Sequence, residues 1–296
     1  MPPPEPPVPA PPPPALDRAA VARHFARAAP RFDEATGPFA GVREELLSRI
    51  GYFGLDPRVV LDLGAGTGPA SRALRRRFRR ARVLALDQSA ALLAQAAHRA
   101  RWPRRFERVA GDACALPLRA GSCDLVFANL SLPWFPVLDL ALAEVRRVLA
   151  PRGLFLFSSL GPATLRELRA SWSLVDHAPH VHDFIDMHDL GSALARAGFA
   201  EPVLDTEEHA RQYPSFTALG AALRAAGAGN AHALRRRSLT GRARFAAAEK
   251  AYESRRGRDG LPATFEVVYG AAFAGEARAR PLSGEFVVPL SGLVTR

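Results

Sequence analysis

A short apolar segment that runs into three alternating glycines constrains the fold of this chain more than any other feature. The segment spans Val59–Gly68 and reads VVLDLGAGTG. Its first five residues have the composition of a buried strand. Glycine is the residue of choice where the backbone turns sharply and a ligand approaches without a Cβ atom in between. The segment therefore predicts a strand, a ligand-binding turn and the start of a helix.

Apolar runs that resemble strands alternate with helical stretches along most of the chain, and the links between them are short. This alternation predicts an α/β fold in which parallel βαβ units form a doubly wound sheet. After Ser159 the rhythm changes, and we interpret the rest as the last two strands of the same sheet with helices inserted between them. The predicted strands are Val59–Leu63, Val83–Asp87, Phe106–Ala110, Asp124–Asn129, Leu154–Ser159, Pro202–Tyr213 and Thr264–Phe273, and the predicted helices are Pro69–Arg80, Ala90–Arg101, Leu138–Leu149, Pro162–Ser173, Asp189–Ala197, Phe216–Ala226 and Gly241–Arg256.

Acidic residues near the strands favour S-adenosylmethionine over a dinucleotide as the ligand of the glycine turn. The glycine spacing is G-x-G-x-G instead of the dinucleotide G-x-G-x-x-G, and Asp62 would repel a pyrophosphate but attract the ammonium of methionine. Asp87 closes the second strand, where a carboxylate suits the two ribose hydroxyls, and Asp112 follows the third, where it suits the adenine amino group. With Asp124 at the fourth strand, we expect these acids to share one crevice. Each of them also fits a loop or a helix cap.

Four segments follow the order and spacing of the class I methyltransferase motifs: VLDLGAGTG, LALDQS, GDACALPL and SCDLVFANLSLPW. Over roughly residues 55–160 the chain thus resembles the class I S-adenosylmethionine-dependent methyltransferases. The resemblance implies a Rossmann-like fold, with a mostly parallel seven-stranded sheet, helices on both faces and a helical insertion late in the chain. It also implies that S-adenosyl-L-methionine is bound by Asp62, Gly64, Ala65, Gly66, Gly68, Asp87, Gln88, Asp112, Ala113 and Asn129.

Segments outside this core point to a narrower family. HFARAAPRFD, from His24 to Asp33, resembles the F-x-R-A-A-x-x-Y-D segment of the malonyl-acyl-carrier-protein O-methyltransferases of biotin synthesis. FSSLGPATLRELR, HVHDFIDMHDLGSALARAGFAEPVLD and LPATFEVVYG resemble the same family, so the likeness extends over about residues 21–273. Phe32 stands where the family usually has tyrosine, and Ala271–Phe273 replaces a more polar ending that carries tryptophan.

The resemblance implies methyl transfer to the free carboxylate of malonyl-acyl-carrier protein. Two alternatives stay open: a methyltransferase for another quinone-like or carboxylate metabolite, and a respiratory complex I assembly factor that binds S-adenosylmethionine without methylating. A carboxylate is already ionised at pH 7, so we assign no general base. Arginine can hold a carboxylate through two parallel hydrogen bonds. The expected substrate-binding residues are Phe25, Phe32, Asn129, Trp134, Arg166, Arg169 and Arg211, with Arg23 and Arg27 as further options.

The chain carries 40 Lys and Arg against 29 Asp and Glu, a formal charge of +11. Nearly all of this charge is arginine, which a GC-rich coding sequence alone can produce, although a positive field also attracts acidic partners. We expect an acidic acyl carrier protein to dock on Arg235–Arg237, Arg242 and Arg244. No zinc-finger spacing or aromatic RNA-binding motif is present, so nucleic acid is not an expected partner. The oligomeric state stays open.

A cluster of histidines and aspartates between residues 177 and 189 has the residue types of a metal site. Its ligand spacing is irregular and Asp189 is placed to cap a helix, so we expect no metal there and favour a loop that faces the substrate. The cluster comprises His177, His180, His182, Asp183, Asp186, His188 and Asp189.

The remaining features set the expected domain organisation. Residues 1–15 are so rich in proline that we expect a disordered tail. Residues 16–275 form the methyltransferase domain, in which residues 16–50 are lid helices divided by Pro30, Gly37 and Pro38, residues 214–257 are the helical insertion, and residues 276–296 are a C-terminal extension. The two cysteines, the lack of a secretory signal and the lack of a long apolar run suggest a cytoplasmic protein without a membrane span.

Overall fold

A seven-stranded sheet with the strand order β3-β2-β1-β4-β5-β7-β6 organises the chain. The computed structural model describes residues 16–99 and 106–275. Strands β1 to β5 run parallel, whereas β7 is antiparallel to both β5 and β6. The expected mostly parallel α/β sheet is therefore confirmed. The strands are β1 (Val59–Leu63), β2 (Arg82–Asp87), β3 (Glu107–Ala110), β4 (Cys123–Asn129), β5 (Leu149–Leu160), β6 (Phe199–Tyr213) and β7 (Leu261–Ala274).

Helices cover both faces of this sheet, because the side chains of its central strands alternate between two apolar faces. On one face Leu61 packs with residues of α6 and α8, and on the other its neighbour Val60 packs with residues of α3 and α4. The helices are α1 (Arg18–Ala28), α2 (Phe32–Thr36), α3 (Ala40–Arg49), α4 (Pro69–Arg77), α5 (Ala90–Arg99), α6 (Leu138–Val148), α7 (Arg166–Ser173), α8 (Met187–Arg196), α9 (Phe216–Ala225) and α10 (Arg242–Glu253).

The lid segment, residues 16–50, is more continuous than its sequence suggests. Helices α1, α2 and α3 are joined by short 3-10 turns, Ala29–Arg31 and Gly37–Phe39, and these turns hold Pro30 and Pro38. Proline suits the first positions of a helical turn, where its missing N–H would have no partner. Helices α1 and α2 pack against α9 of the insertion, residues 214–257, which lies between β6 and β7 as expected.

Several element boundaries differ from those predicted. Helix α7 starts at Arg166 instead of Pro162, because the preceding residues form a turn closed by a 3.0 Å hydrogen bond from the Thr164 N–H to the Gly161 carbonyl. Helix α4 ends at Arg77, since Phe78 has non-helical dihedral angles. Strand β5 begins five residues early, at Leu149.

Some expectations lie outside the described residues. These are the proline-rich tail at 1–15, the last residues of the predicted helix that ends at Arg101, and the extension at 276–296. Within the described part of the chain, no helix combines the length and apolar character needed to cross a membrane.

Candidate active site

The turn after β1 adopts a backbone that only glycine accommodates easily. Gly64, Gly66 and Gly68 all have positive φ, at 74°, 55° and 76°. A Cβ atom on Gly64 would lie 2.3 Å from the Cβ of Ser131, and one on Gly66 would lie 3.3 Å from the ring of Phe32. The glycines therefore allow the loop after β4 and the lid segment to approach the turn closely.

Asp87, at the end of β2, links the turn to the adjacent strand. One carboxylate oxygen accepts the Gly66 N–H at 2.8 Å and the other accepts the Ser89 N–H at 2.7 Å. The side chain is buried, and burial raises its pKa although both N–H groups oppose that change. A carboxylate accepts about four hydrogen bonds in all, so Asp87 retains the capacity to bind two hydroxyls.

Asp62, at the end of β1, is buried beneath the turn. The hydroxyl of Ser71, on α4, donates a hydrogen bond to its carboxylate. Burial nevertheless raises the pKa of Asp62 to about 7, with a small opposing effect from the positive charge of Arg43. A ligand ammonium would favour the ionised form of this carboxyl.

One cavity of about 230 Å³ lies along the carboxyl ends of β1, β2 and β4. It continues beneath the lid segment and the insertion, where the side chains of Phe25, Phe32, Phe39, Trp134 and Phe265 line it. Phe25 packs edge-on against both Phe32 and Trp134, with ring centroids 6.1 and 5.2 Å apart. The cavity therefore combines a polar part on the sheet with an aromatic chamber under the lid segment.

The structure brings nine of the ten expected cofactor residues to this cavity: Asp62, Gly64, Ala65, Gly66, Asp87, Gln88, Asp112, Ala113 and Asn129. Gly68 is the exception. It precedes α4, and a Cβ atom there would lie 2.7 Å from the ring of Phe106, so its role is close packing. The expected substrate residues Phe25, Phe32, Asn129 and Trp134 also line the cavity.

Asp124 and Asp112 differ from Asp62 and Asp87 in where they lie or in what they contact. Asp124 lies at the amino end of β4, where its carboxylate accepts the N–H groups of Arg58 and Val59 at 2.8 and 2.9 Å. Asp124 therefore lies at the opposite end of the strands from the crevice. The expectation that it lines the crevice was wrong. Asp112 does line the cavity, and its carboxylate is 3.0 Å from the guanidinium of Arg18 in the lid segment.

The lid segment also touches the glycine turn directly. The hydroxyl of Thr67 donates a hydrogen bond to the carboxylate of Asp33, and the ring of Phe32 covers Gly66. Phe32, which replaces the usual tyrosine of the resembling family, thus still packs on the turn. The F-D pair of the lid segment therefore packs on the glycine turn and hydrogen-bonds to it.

The arginines expected to hold a substrate carboxylate do not line the cavity. Arg166 forms an ion pair with Glu208 at 2.7 Å, and Arg169 donates hydrogen bonds to the carbonyls of Pro162 and His182. Arg211 donates a hydrogen bond to the Pro38 carbonyl. These partners hold all three guanidinium groups elsewhere in the structure. Arg23 and Arg27 do not line the cavity either.

Sequence reasoning missed Arg43, which is the basic side chain among the described lining residues. It lies on α3. The successive intervals between Phe32, Thr36, Phe39 and Arg43 are four, three and four residues. These spacings place residues on one face of a helical segment. This shared face is the sequence signal that could have identified Arg43 as a residue that faces the cavity.

One arginine of the expected docking surface for the carrier protein, Arg235, has a structural role. Arg235 donates hydrogen bonds to the Asp17 carboxylate at 2.8 Å and to the His232 carbonyl at 2.9 Å, and it is largely buried. It therefore fastens the start of α1 to the insertion. Arg236, Arg237, Arg242 and Arg244 are exposed.

The His/Asp cluster forms pairs with its surroundings. His180 lies 2.8 Å from Asp176 and stacks on Trp172, while His232 lies 3.4 Å from Asp183. Within the described ranges, no three such side chains are arranged to hold a metal ion. Asp186, not Asp189, caps α8 by accepting the His188 N–H at 2.7 Å.

The fold and the turn define a class of protein. Residues 61–157 match a family model described as a methyltransferase domain. YcgJ of Bacillus subtilis shares the fold with a TM-score of 0.56 at 18% identity, covering 79% of this chain and 99% of that one. The [4+2]-cyclase SpnF shares it with a TM-score of 0.57 at 21% identity, covering 88% and 98%. The chain thus has the Rossmann-like fold of class I methyltransferases, and a cyclase with this fold shows that fold alone does not decide the reaction.

Similarity over nearly the whole chain narrows the class to a family. A protein of Halorhodospira halophila named malonyl-[acyl-carrier protein] O-methyltransferase is 42% identical, over 95% of this chain and 97% of its own. Relatives with the same name in Methylovorus sp. and Legionella pneumophila are 44% and 33% identical, over 89% and 93% of this chain and 91% and 98% of their own. The chain belongs to the malonyl-acyl-carrier-protein O-methyltransferase family, and it is a methyltransferase.

Proposed function

We propose that this enzyme transfers the methyl group of S-adenosyl-L-methionine to the free carboxylate of malonyl-acyl-carrier protein, an early step of biotin synthesis. The supporting observation is one continuous cavity, which joins a polar part on the sheet to an aromatic chamber under the lid segment. Relatives of that name align over both the sheet and the lid segment.

The residues of the polar part fit S-adenosylmethionine. Gly64 and Gly66 line the cavity at the turn, and Asp87 has lone pairs left for the ribose hydroxyls. Asp62 and Arg43 place a carboxyl and a guanidinium on the wall of the same cavity. This pair is complementary to the ammonium and carboxylate of an amino acid, so Arg43 is the partner that we assign to the methionine carboxylate.

When bound, S-adenosylmethionine supplies a methyl group on a positively charged sulfur. The acceptor carboxylate needs no base, so the task of the protein is to orient it and to remove its water. The aromatic chamber can do both, because its rings confine the substrate and exclude solvent. The side-chain oxygen of Asn129 accepts the Ser158 hydroxyl at 3.1 Å, which leaves the amide N–H groups of Asn129 to donate into the cavity.

Mass spectrometry of malonyl-acyl-carrier protein incubated with the enzyme and S-adenosylmethionine tests this proposal. We expect the carrier to gain the mass of one methylene group, and acetyl-carrier protein, which lacks the free carboxylate, to remain unchanged. Methylation of a quinone-like metabolite instead of the carrier would favour the alternative in which the methyl acceptor is a small metabolite. Cofactor binding without methylation of either would favour an assembly factor.

A further inference from the structure

A second cavity, of about 100 Å³, adjoins the first. Phe135 and Leu160 line both cavities, and Trp134 of the main cavity packs edge-on against His182 of the second, with ring centroids 5.4 Å apart. Its other walls come from the end of β5, the loop before α8 and His232. The second cavity is therefore separated from the aromatic chamber by only one layer of side chains.

Two polar side-chain atoms at this mostly apolar cavity lack a hydrogen-bond partner. Ser159 is 1% exposed and His182 is 7% exposed, and both line the cavity. Within the described structure, no hydrogen bond satisfies the hydroxyl of Ser159 or the Nδ1 atom of His182. Buried polar atoms are nearly always paired, so two unpartnered atoms beside one small cavity are suited to hold a polar ligand there.

The chemistry of the two atoms identifies the kind of ligand. A hydroxyl both donates and accepts. The other ring nitrogen of His182, Nε2, lies 3.4 Å from both the Gly229 carbonyl and the Ala231 N–H, so Nδ1 suits a donor or an acceptor according to the tautomer. A secondary amide offers one N–H and one carbonyl, and it can satisfy both atoms in either tautomer. Most of the other lining side chains are apolar, such as Leu132 and Ile185, and the carboxylate among them, Asp183, already lies 3.4 Å from His232. The cavity therefore favours a neutral ligand over a charged one.

We propose that the second cavity binds the amide of the substrate's pantetheine arm nearest the thioester, through the Ser159 hydroxyl and His182 Nδ1. This inference rests on the proposed function, and it requires the amide-bearing arm of a thioester in the aromatic chamber to pass between Phe135 and Leu160, which line both cavities. The cavity thereby distinguishes a pantetheine thioester from a simple malonate ester or alkyl thioester.

Two small substrates test the proposal directly. Malonyl-N-acetylcysteamine carries the amide, whereas a malonyl alkyl thioester of equal length carries methylenes in its place. We expect the wild-type enzyme to prefer the amide substrate in kcat/KM. We expect Ser159→Ala to reduce kcat/KM for the amide substrate by roughly 2- to 10-fold, the effect of one neutral hydrogen bond, and to leave the alkyl substrate unchanged.

Matched variants separate binding from structure. In His182→Gln the new amide lies near the position of Nε2 and the Nδ1 group is lost, whereas in His182→Asn it lies near the position of Nδ1. We expect the Gln variant to lose preference for the amide substrate and the Asn variant to keep it. Ser122→Ala, outside both cavities, serves as the control for a hydroxyl deletion.

The outcomes distinguish this proposal from the proposed function. Equal kcat/KM for the two substrates in the wild type, or equal losses with both substrates in Ser159→Ala, would mean that the cavity holds water only and would overturn the inference. Methylation of both substrates would still support the proposed function in that case. Failure to methylate any malonyl thioester would contradict the proposed function itself.

Discussion

Asp87 is the residue to which the proposed function assigns the ribose of the cofactor. Its carboxylate orders the glycine turn and keeps lone pairs for two hydroxyls. We expect Asp87→Ala to weaken binding of S-adenosylhomocysteine by roughly 1.5–3 kcal/mol, the range for hydrogen bonds to a charged group. Calorimetric titration measures this. Asp87→Asn should retain part of the affinity, and unchanged affinity in the alanine variant would remove Asp87 from the site.

Arg43 should matter only for the amino-acid end of the ligand. We expect Arg43→Ala to weaken binding of S-adenosylhomocysteine about 10-fold or more, because a charge-assisted hydrogen bond is lost. Methylthioadenosine lacks the ammonium and the carboxylate, so its affinity should not change. Calorimetry with both ligands decides the question, and an equal loss for the two would show that Arg43 acts on the fold of the lid segment.

We expect Asp62 to couple ligand binding to pH. Its pKa of about 7 leaves the carboxyl partly protonated at neutral pH. A bound ammonium favours the ionised form, so binding near pH 7 should release a fraction of a proton, and affinity should fall as pH drops below 7. Titrations in buffers of different ionisation enthalpy measure this release. Asp62→Asn should abolish it, and an undiminished release in that variant would assign the proton to another group.

Single residues could be predicted where local geometry decides their place. Asp62 is the penultimate residue of β1 and Asp87 is the last residue of β2, so their position at the crevice followed from the pattern of the strands. Asp124 precedes its apolar run, and the expectation for it failed because it starts a strand instead of ending one. Arg166 and Arg211 lie outside the cavity for another reason: contacts with Glu208 and Pro38, distant in sequence, decide where their guanidinium groups point.

At the scale of elements, the contacts between the lid segment and the insertion create a dependence on pH. His24 of α1 and His182 of the loop before α8 are both held close to residues 229–231, and burial lowers the pKa of each. His24 also faces Arg23, Arg27 and Arg235, while His182 faces His232 and Asp183. Both histidines are therefore preferentially neutral in the folded state.

A folded-state pKa below the unfolded value of 6.5 costs stability when the pH falls. The unfolded chain then takes up protons that the folded chain resists, so stability is complete above pH 6.5 and declines below it. We expect Tm to fall between pH 7 and pH 5.5, and a His24→Gln, His182→Gln variant to fall less, by roughly 2–4 °C. Identical slopes in calorimetric scans would exclude these two histidines as the cause.

The elements themselves were largely predictable, because strands and helices have distinct apolar periods. The exact ends of the helices and strands were less predictable. Asp186 and Asp189 are both acids near the start of α8, and only the backbone geometry at Asp186 decides which one is the cap. The cavity depends on the lid segment lying over the sheet, which no local pattern of the sequence expresses.

At the scale of the whole molecule, the positive charge predicts a salt-dependent encounter with an acidic carrier protein. We expect Arg237→Glu, Arg242→Glu and Arg244→Glu together to raise KM for malonyl-carrier protein several-fold and to remove its salt dependence. A small malonyl thioester should be indifferent to both changes. Steady-state kinetics over a range of ionic strength measures this, and equal salt sensitivity of the small substrate would contradict docking.

Arg235 requires a separate variant, because it is paired with Asp17. Arg235→Glu would place two negative charges together and should lower Tm, whereas the three outer arginines should not. A drop in Tm for the outer triple variant would show that those residues also serve the fold.

The ion pair between Arg235 and Asp17 joins residues 218 positions apart. During synthesis α1 leaves the ribosome early, yet its partners in the insertion appear only when most of the chain has been made. Until then the part of α1 that packs on the insertion, where Val21 clusters with Ala231, lacks its partner. The nascent protein is therefore expected to expose this part of α1 for most of its synthesis and to complete the aromatic chamber last. A chain released too early would carry the glycine turn without a place for the methyl acceptor.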